Sequence, residues 1–243
     1  MTEWLDASGR CFNPDASVTT VPLWDGHRCY VIDDALAHPD GMIAWGCGGQ
    51  FAVPDYPYPG LVLDAPLALA QLVADHFSQQ VRNRLGGRRL INFQVRLSLV
   101  TTPPAELAPI QWQCHRDRLI TQRDDILRAA SVLYLFRDPA QGGTSFYRPR
   151  QSEELTDRML DDSTSLSPAE FSARYGLQPG YMGESNPYFE RVAQVPARWN
   201  RMIVYDGGLF HSADLERFSS FSADPRVGRL TLNGFYNCRR NAR

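Results

Sequence analysis

No lysine occurs in this 243-residue sequence; all 25 of its basic side chains are arginine. Chemistry that needs a primary amine is thereby excluded: Schiff-base catalysis, the Walker-type phosphate loop and protein-kinase phosphoryl transfer. Charge of either sign is not in excess. The 27 acidic residues leave a net charge of −2, which gives no electrostatic reason to expect a nucleic-acid or membrane partner. Cysteine is scarce and scattered. Cys11, Cys29, Cys47, Cys114 and Cys238 are odd in number and form no C-x-x-C pair, so neither a disulfide framework nor a zinc finger is expected. They read as reduced, mostly buried small side chains. Long hydrophobic runs are missing too: the most apolar stretch, Pro66 to Ala74, is too short to span a bilayer. The first residues lack the basic and apolar regions of a signal peptide. A soluble cytoplasmic protein is the expectation.

What is present is ordinary globular composition, with 43% hydrophobic and 11% aromatic residues, enough for one domain over 1–243 with a real core. In residues 1–88, Val18 to Trp24 and Cys29 to Ile32 read as strands, and His38-Pro39-Asp40-Gly41 as a turn. Gly46 to Gly49 and Pro54 to Gly60 read as loops. One long helix follows, with Asp64 as N-cap, Pro66 in the first turn and Gly86-Gly87 as its stop. The helix is expected to pack as an N-terminal extension on a core spanning 89–240. There the period changes to two: Ile91, Phe93, Val95, Leu97 and Leu99 alternate with polar residues. Further strands are expected at Ile110 to His115, Ala130 to Phe136, Thr144 to Tyr147, Arg191 to Val195, Arg201 to Tyr205 and Arg229 to Tyr236. A helical insert at about 151–186 carries the capping box Ser167-Pro168-Ala169-Glu170 and the stop Gly176; its place between core strands suggests a lid over the mouth. A mainly β sandwich or barrel with supporting helices follows.

The scarce chemical resource is five histidines. Two open an H-x-D triplet. His38-Pro39-Asp40 is absorbed by the turn reading. His115-Arg116-Asp117 ends a strand candidate, where residues two apart share a face and can chelate one cation. His211, after the glycine turn Gly207-Gly208, is the best third donor. Two neutral imidazoles and one carboxylate on one face of a metal leave about three positions open, the pattern of a non-haem Fe(II) site. The competing reading, a surface His–carboxylate pair with His211 merely ending a strand, is equally compatible with these residue types. Arg128 reads as a solvated strand-end arginine.

Five segments in order resemble the 2-oxoglutarate/Fe(II)-dependent dioxygenase superfamily, in particular its prolyl-4-hydroxylase-like branch. They are Cys114 to Asp117; Ser131-Val132-Leu133-Tyr134-Leu135; Gly142-Gly143-Thr144-Ser145-Phe146; Arg201 to Tyr205 with Leu209-Phe210-His211; and Gly228-Arg229-Leu230-Thr231-Leu232. The resemblance covers Asn92 to Asn237 and leaves the first 90 residues unplaced.

It implies a double-stranded β-helix (jelly-roll) barrel with His115, Asp117 and His211 as Fe(II) ligands. It implies Arg229 as the partner of the distal carboxylate of 2-oxoglutarate, with Tyr134 and Thr231 adding hydroxyls. A guanidinium fork suits that carboxylate. Arg229 stands 18 residues after His211, later than the family's usual spacing, so Arg226 and Arg217 are fallback candidates. The implied activity is O2-dependent hydroxylation, or another oxidation, of a C–H bond with release of succinate and CO2; the intact Asp117 speaks against halogenation. The substrate class left open is a small molecule, amino acid or peptide. Two alternatives remain: a catalytically silent jelly-roll binding module, and a cupin-like metal enzyme that uses no 2-oxoglutarate.

Overall fold

Alternation along one strand sets the architecture. In β10 (Leu230–Arg240), Leu232, Gly234, Tyr236 and Cys238 are buried, whereas Asn233, Phe235 and Asn237 are only half-buried. One face therefore meets the core and the other borders a cleft. The computed structural model describes residues 3–117, 123–215 and 221–241. Its other strands are β1 (Val18–Pro22), β2 (Arg28–Ile32), β3 (Gly60–Asp64), β4 (Gly87–Val100), β5 (Ile126–Tyr134), β6 (Thr144–Pro149), β7 (Phe189–Val195), β8 (Met202–Asp206) and β9 (Phe210–Ala213). Among the described residues four α-helices join them: α1 (Pro39–Gly48), α2 (Leu67–Gln80), α3 (Glu153–Ser165) and α4 (Pro168–Tyr175). The protein is mainly β. A seven-stranded antiparallel sheet, β1-β2-β8-β5-β10-β4-β3, lies over a three-stranded one, β7-β6-β9. Among the described residues the two do not close into a hydrogen-bonded barrel.

The core face of the large sheet packs on α2. Leu69, Val73 and Phe77 meet Leu97, Leu99, Leu232 and Tyr236 in one cluster, with the Phe77 and Tyr236 rings stacked at 3.9 Å. Burying Phe77 stabilises this contact by about 1.5–3 kcal/mol. The helix starts later than expected. Asp64 is the last residue of β3, paired with Arg96, so Pro66 caps the helix instead. It also ends earlier, at Gln80, and a 3-10 turn (Arg82–Leu85) closes on Gly86 at φ +81. Residues 1–88 do more than add this helix, because β1, β2 and β3 extend the large sheet at both edges.

Three local expectations are corrected. The His38 to Gly41 turn and the Gly46 to Gly49 loop are both parts of α1, with Pro39 at its first position. Its glycines serve close packing: a Cβ at Gly41 would lie 2.2 Å from the His38 ring, and one at Gly46 3.0 Å from Leu97. Ile110 to His115 is not a strand. A 3-10 turn (Pro109–Trp112), tied by Trp112 Nε1 donating to the Leu107 carbonyl at 2.9 Å, leads into an extended stretch. In β4 the period-two phase breaks at Ile91. Asn92 pairs with Asn237 and Leu90 with Cys238, so Ile91 is the extra residue of a bulge and is 46% exposed.

The insert forms α3 and α4 with the expected Ser167 capping box and left-handed Gly176. Its two helices pack on the small sheet, while Tyr181, later in the same insert, donates to the Thr102 carbonyl at 2.7 Å. Met159 and Phe171 pack with Met182, Trp112, Tyr147 and Phe210, covering the outer face of the small sheet. The inner face turns Phe146 toward Ala130, Tyr134, Ile203 and Tyr205 of the large sheet. No helix among the described residues is long and apolar enough to cross a membrane.

Candidate metal centre

The stretch carrying His115 and Asp117 strides across the gap between the sheets. His115 and His211 of β9 exchange both backbone hydrogen bonds, N to O, at 2.9 and 2.8 Å. Two residues on, the Asp117 amide donates to the Gly207 carbonyl, just past β8, at 2.7 Å. Main-chain pairing thus brings together three residues that are 96 positions apart in sequence at the extremes. Their donor atoms all lie within 4.8 Å of one another, and the two imidazole centroids are 4.5 Å apart.

Each side chain is prepared to meet a cation. His211 is buried and its Nδ1 lies 2.8 Å from the Leu209 carbonyl. A carbonyl can only accept, so Nδ1 carries the proton and Nε2 keeps its lone pair for the site. The Tyr205 ring holds the imidazole edge-on at 4.7 Å. Burial lowers the His211 pKa to about 4. His115 is the most open of the three, with one edge to solvent. Its ring still sits deep enough among protein atoms that desolvation, with His211 adding to it, lowers its pKa to about 4. Both rings are neutral at pH 7, the form that ligates. Burial raises the Asp117 pKa, opposed by His115, Arg96 and Arg128. Its Oδ2 is buried and receives no hydrogen bond, a costly arrangement unless a cation meets it. The donor set and this orphaned oxygen fit a divalent metal.

The residues named for 2-oxoglutarate also converge. Tyr134 of β5 is paired directly with Thr231 of β10, and Ser98 of β4 flanks Thr231 on its other side, so all three share the cleft face. The Tyr134 hydroxyl bonds Thr144 Oγ1 at 2.8 Å. Arg229, immediately before β10, is buried with 4% exposure. Its Nε donates to the Gln141 carbonyl at 2.8 Å, and one terminal nitrogen donates to the Gly142 and Gly143 carbonyls at 3.1 and 3.2 Å. Those carbonyls are available because of two glycines: a Cβ at Gly142, which has φ +76, would lie 1.7 Å from the Asp214 carbonyl oxygen, and one at Gly143 2.1 Å from that of Val195. Burial lowers the Arg229 pKa, resisted by Tyr134, Tyr58, the Asp214 carboxylate and Tyr181. Among the described residues no carboxylate pairs with it. Arg226 is exposed and turned to Asp224 at 3.4 Å, and Arg217 lies outside the described residues.

Some residues of the site carry no sequence signal. Arg128 is not a solvated strand end: it donates to the Asp117 carbonyl at 2.8 Å and positions that residue. Arg116, the middle of the triplet, bonds Asp157 of α3 at 2.7 Å and tethers the segment to the insert. Gln113, two residues before His115 and in the same phase, buries an amide with neither oxygen nor nitrogen bonded.

Among solved structures the chain is similar to HygX from Streptomyces hygroscopicus with nickel, 2-oxoglutarate and hygromycin B bound. Identity is 11%, over 87% of this chain and 82% of that one, with a TM-score of 0.49. It is also similar to EvdO2 from Micromonospora carbonacea var. aurantiaca (12% identity, 91% and 93% covered, TM-score 0.46). A third similar structure is a Pseudomonas putida prolyl-4-hydroxylase (16% identity, 89% of each chain, TM-score 0.38). No curated protein matches the sequence. A model described as a family of unknown function (DUF6445) matches residues 14–236, and the chain belongs to that family.

Proposed function

We propose that this protein is an Fe(II)- and 2-oxoglutarate-dependent oxygenase, with the paired sheets forming an open jelly roll around its site. The observation that carries the reading is the convergence of His115, Asp117 and His211 donor atoms within 4.8 Å, with Asp117 Oδ2 buried and unpartnered. Two imidazoles and one carboxylate on a single side leave the rest of the coordination sphere open, which suits oxygen activation at non-haem iron.

Arg229 favours 2-oxoglutarate over a metal enzyme that dispenses with it. Among the described residues this buried guanidinium, held by three carbonyls, forms no ion pair, with Asp214 acting on it only through space, and a distal carboxylate supplies a direct counter-ion. Tyr134 and Thr231 stand on the same face with hydroxyls for that group. With both bound, iron and 2-oxoglutarate supply O2-dependent oxidation of a substrate C–H bond coupled to decarboxylation of the cosubstrate to succinate and CO2. The chain's own task is orientation and exclusion of water. Leu209 fixes the His211 tautomer, Arg128 and Gly207 hold Asp117, and Phe146, Tyr205 and Phe136 wall the interior. The substrate is a small molecule, amino acid or peptide.

The test is succinate formation from 2-oxoglutarate on addition of Fe(II), with thermal shifts by Mn(II) and by 2-oxoglutarate. Turnover or ligand stabilisation that disappears in His211→Ala supports the proposal. A protein that neither turns over 2-oxoglutarate nor is stabilised by either ligand refutes it.

A further inference from the structure

One cation of the cleft has no work in the site so far described. Arg96 of β4 stands directly across the ladder from Asn233 of β10, on the cleft face. Its guanidinium carbon is 4.5 Å from the centre of the Tyr56 ring and 4.5 Å from that of Phe235. Two rings packed against one guanidinium carbon leave its N–H groups to find hydrogen-bond partners elsewhere. Among the described residues Arg96 forms no ion pair and donates no hydrogen bond, and its Nε is buried without a partner. Asp64, its neighbour on the other side of the ladder, is exposed and does not pair with it.

The surroundings are equally unsatisfied. Asn233 donates through Nδ2 to Ser98 Oγ at 2.9 Å, while its Oδ1 is buried and receives nothing. The Tyr56 hydroxyl is buried and unpartnered as well. A donor fork thus lies beside a bare acceptor, one cross-strand pair wide. Arg96 is also close enough to Asp117 to act on its carboxylate electrostatically. Leaving such groups dry and unpaired is costly, and a ligand with the complementary pattern recovers that cost.

We propose that Arg96 and Asn233 recognise the substrate, and that the substrate is an α-amino or α-amido carboxylate: its carboxylate meets the Arg96 fork and its N–H meets Asn233 Oδ1. This rests on the oxygenase reading, in which Arg229 is already taken by 2-oxoglutarate, while Arg96, among the described residues, is a cleft cation with no ion pair or hydrogen bond and so is open to a second anion.

The probes are the free L-amino acids, their N-acetyl derivatives and the matching carboxamides, titrated into protein holding Mn(II) and 2-oxoglutarate and, separately, into protein alone. At least one carboxylate should bind and, with Fe(II), stimulate succinate formation, and its carboxamide should bind about tenfold more weakly or worse, as loss of a charge-assisted pair requires. Arg96→Met should weaken the carboxylate by a similar factor while affinity for 2-oxoglutarate stays within about twofold. Asn233→Ala should weaken the amino acid but not its des-amino analogue. If Arg96→Met does not fold, Arg96→Lys, which keeps charge but not the fork, takes its place.

Equal binding of carboxamide and carboxylate overturns the proposal, as does a panel in which nothing binds. So does loss of 2-oxoglutarate affinity in Arg96→Met, which would assign Arg96 to the cosubstrate. Failure of the oxygenase reading would show differently, as absent metal and 2-oxoglutarate binding, and Arg96-dependent binding of a carboxylate to the protein alone would still support recognition.

Discussion

The Asp117 carboxylate rests against the bare α-carbon of Gly207: a Cβ there would stand 2.4 Å from Oδ2. The same glycine accepts the Asp117 amide, so one residue fixes both the backbone and the head of the acidic donor. Gly207→Ala should push the carboxylate aside and weaken Mn(II) binding by about 10–100-fold with the fold retained. Titration calorimetry alongside circular dichroism would check it, and unchanged affinity would remove Gly207 from the site.

Arg229 is expected to separate cosubstrate from metal. Arg229→Met should abolish measurable 2-oxoglutarate binding and leave Mn(II) binding in place. It should also cost about 1–3 kcal/mol of stability, because carbonyls of Gln141 to Gly143 lose their donor. Arg226→Ala, at an exposed site turned to Asp224, should do neither. Paired ligand titrations and urea unfolding of the two variants give the answer.

Phe77 reports on the opposite face of the large sheet. Phe77→Ala removes the ring stacked on Tyr236 and should cost about 3–5 kcal/mol in urea unfolding. A loss under 1 kcal/mol would mean that α2 is not the cover of this sheet.

Acid stability should carry a histidine signature. The His76 ring, stacked on Phe12 at 3.8 Å, is lowered by burial from 6.5 to about 4. Between those values the unfolded chain binds a proton that the folded chain resists, so stability falls as pH drops through this window and is fully present above it. His76→Leu should flatten the slope of unfolding free energy against pH from about 6.5 to 4, leaving the shares of His115 and His211. An unaltered slope would show that His76 ionises freely in the native state.

Much of this was legible from residues alone, and the exceptions have physical causes. Period-two alternation reports β4, because Val95 and Leu97 meet the core while Gln94 and Arg96 do not, whereas β5 is buried on both faces and carries no such period. Ser167 to Glu170 announces α4 because capping is local chemistry. Glycine misled at α1: Gly41 and Gly46 are there for contacts with His38 and Leu97, which no local rule contains. The H-x-D spacing is correct as a same-side pair, but a bridge to His211 supplies the extended backbone in place of a strand. The pairing of two rings on Arg96 is beyond any local sequence rule, since Tyr56 and Phe235 stand 179 positions apart (235 − 56) in the chain.

The His115–His211 bridge has one more consequence. Because peptide groups, not imidazoles, set the gap between these positions, the mount survives a change of donor. Cysteine or glutamate placed at 115 or 211 would start from the same anchorage, so this scaffold lends itself to retuning for other ions by side-chain exchange alone.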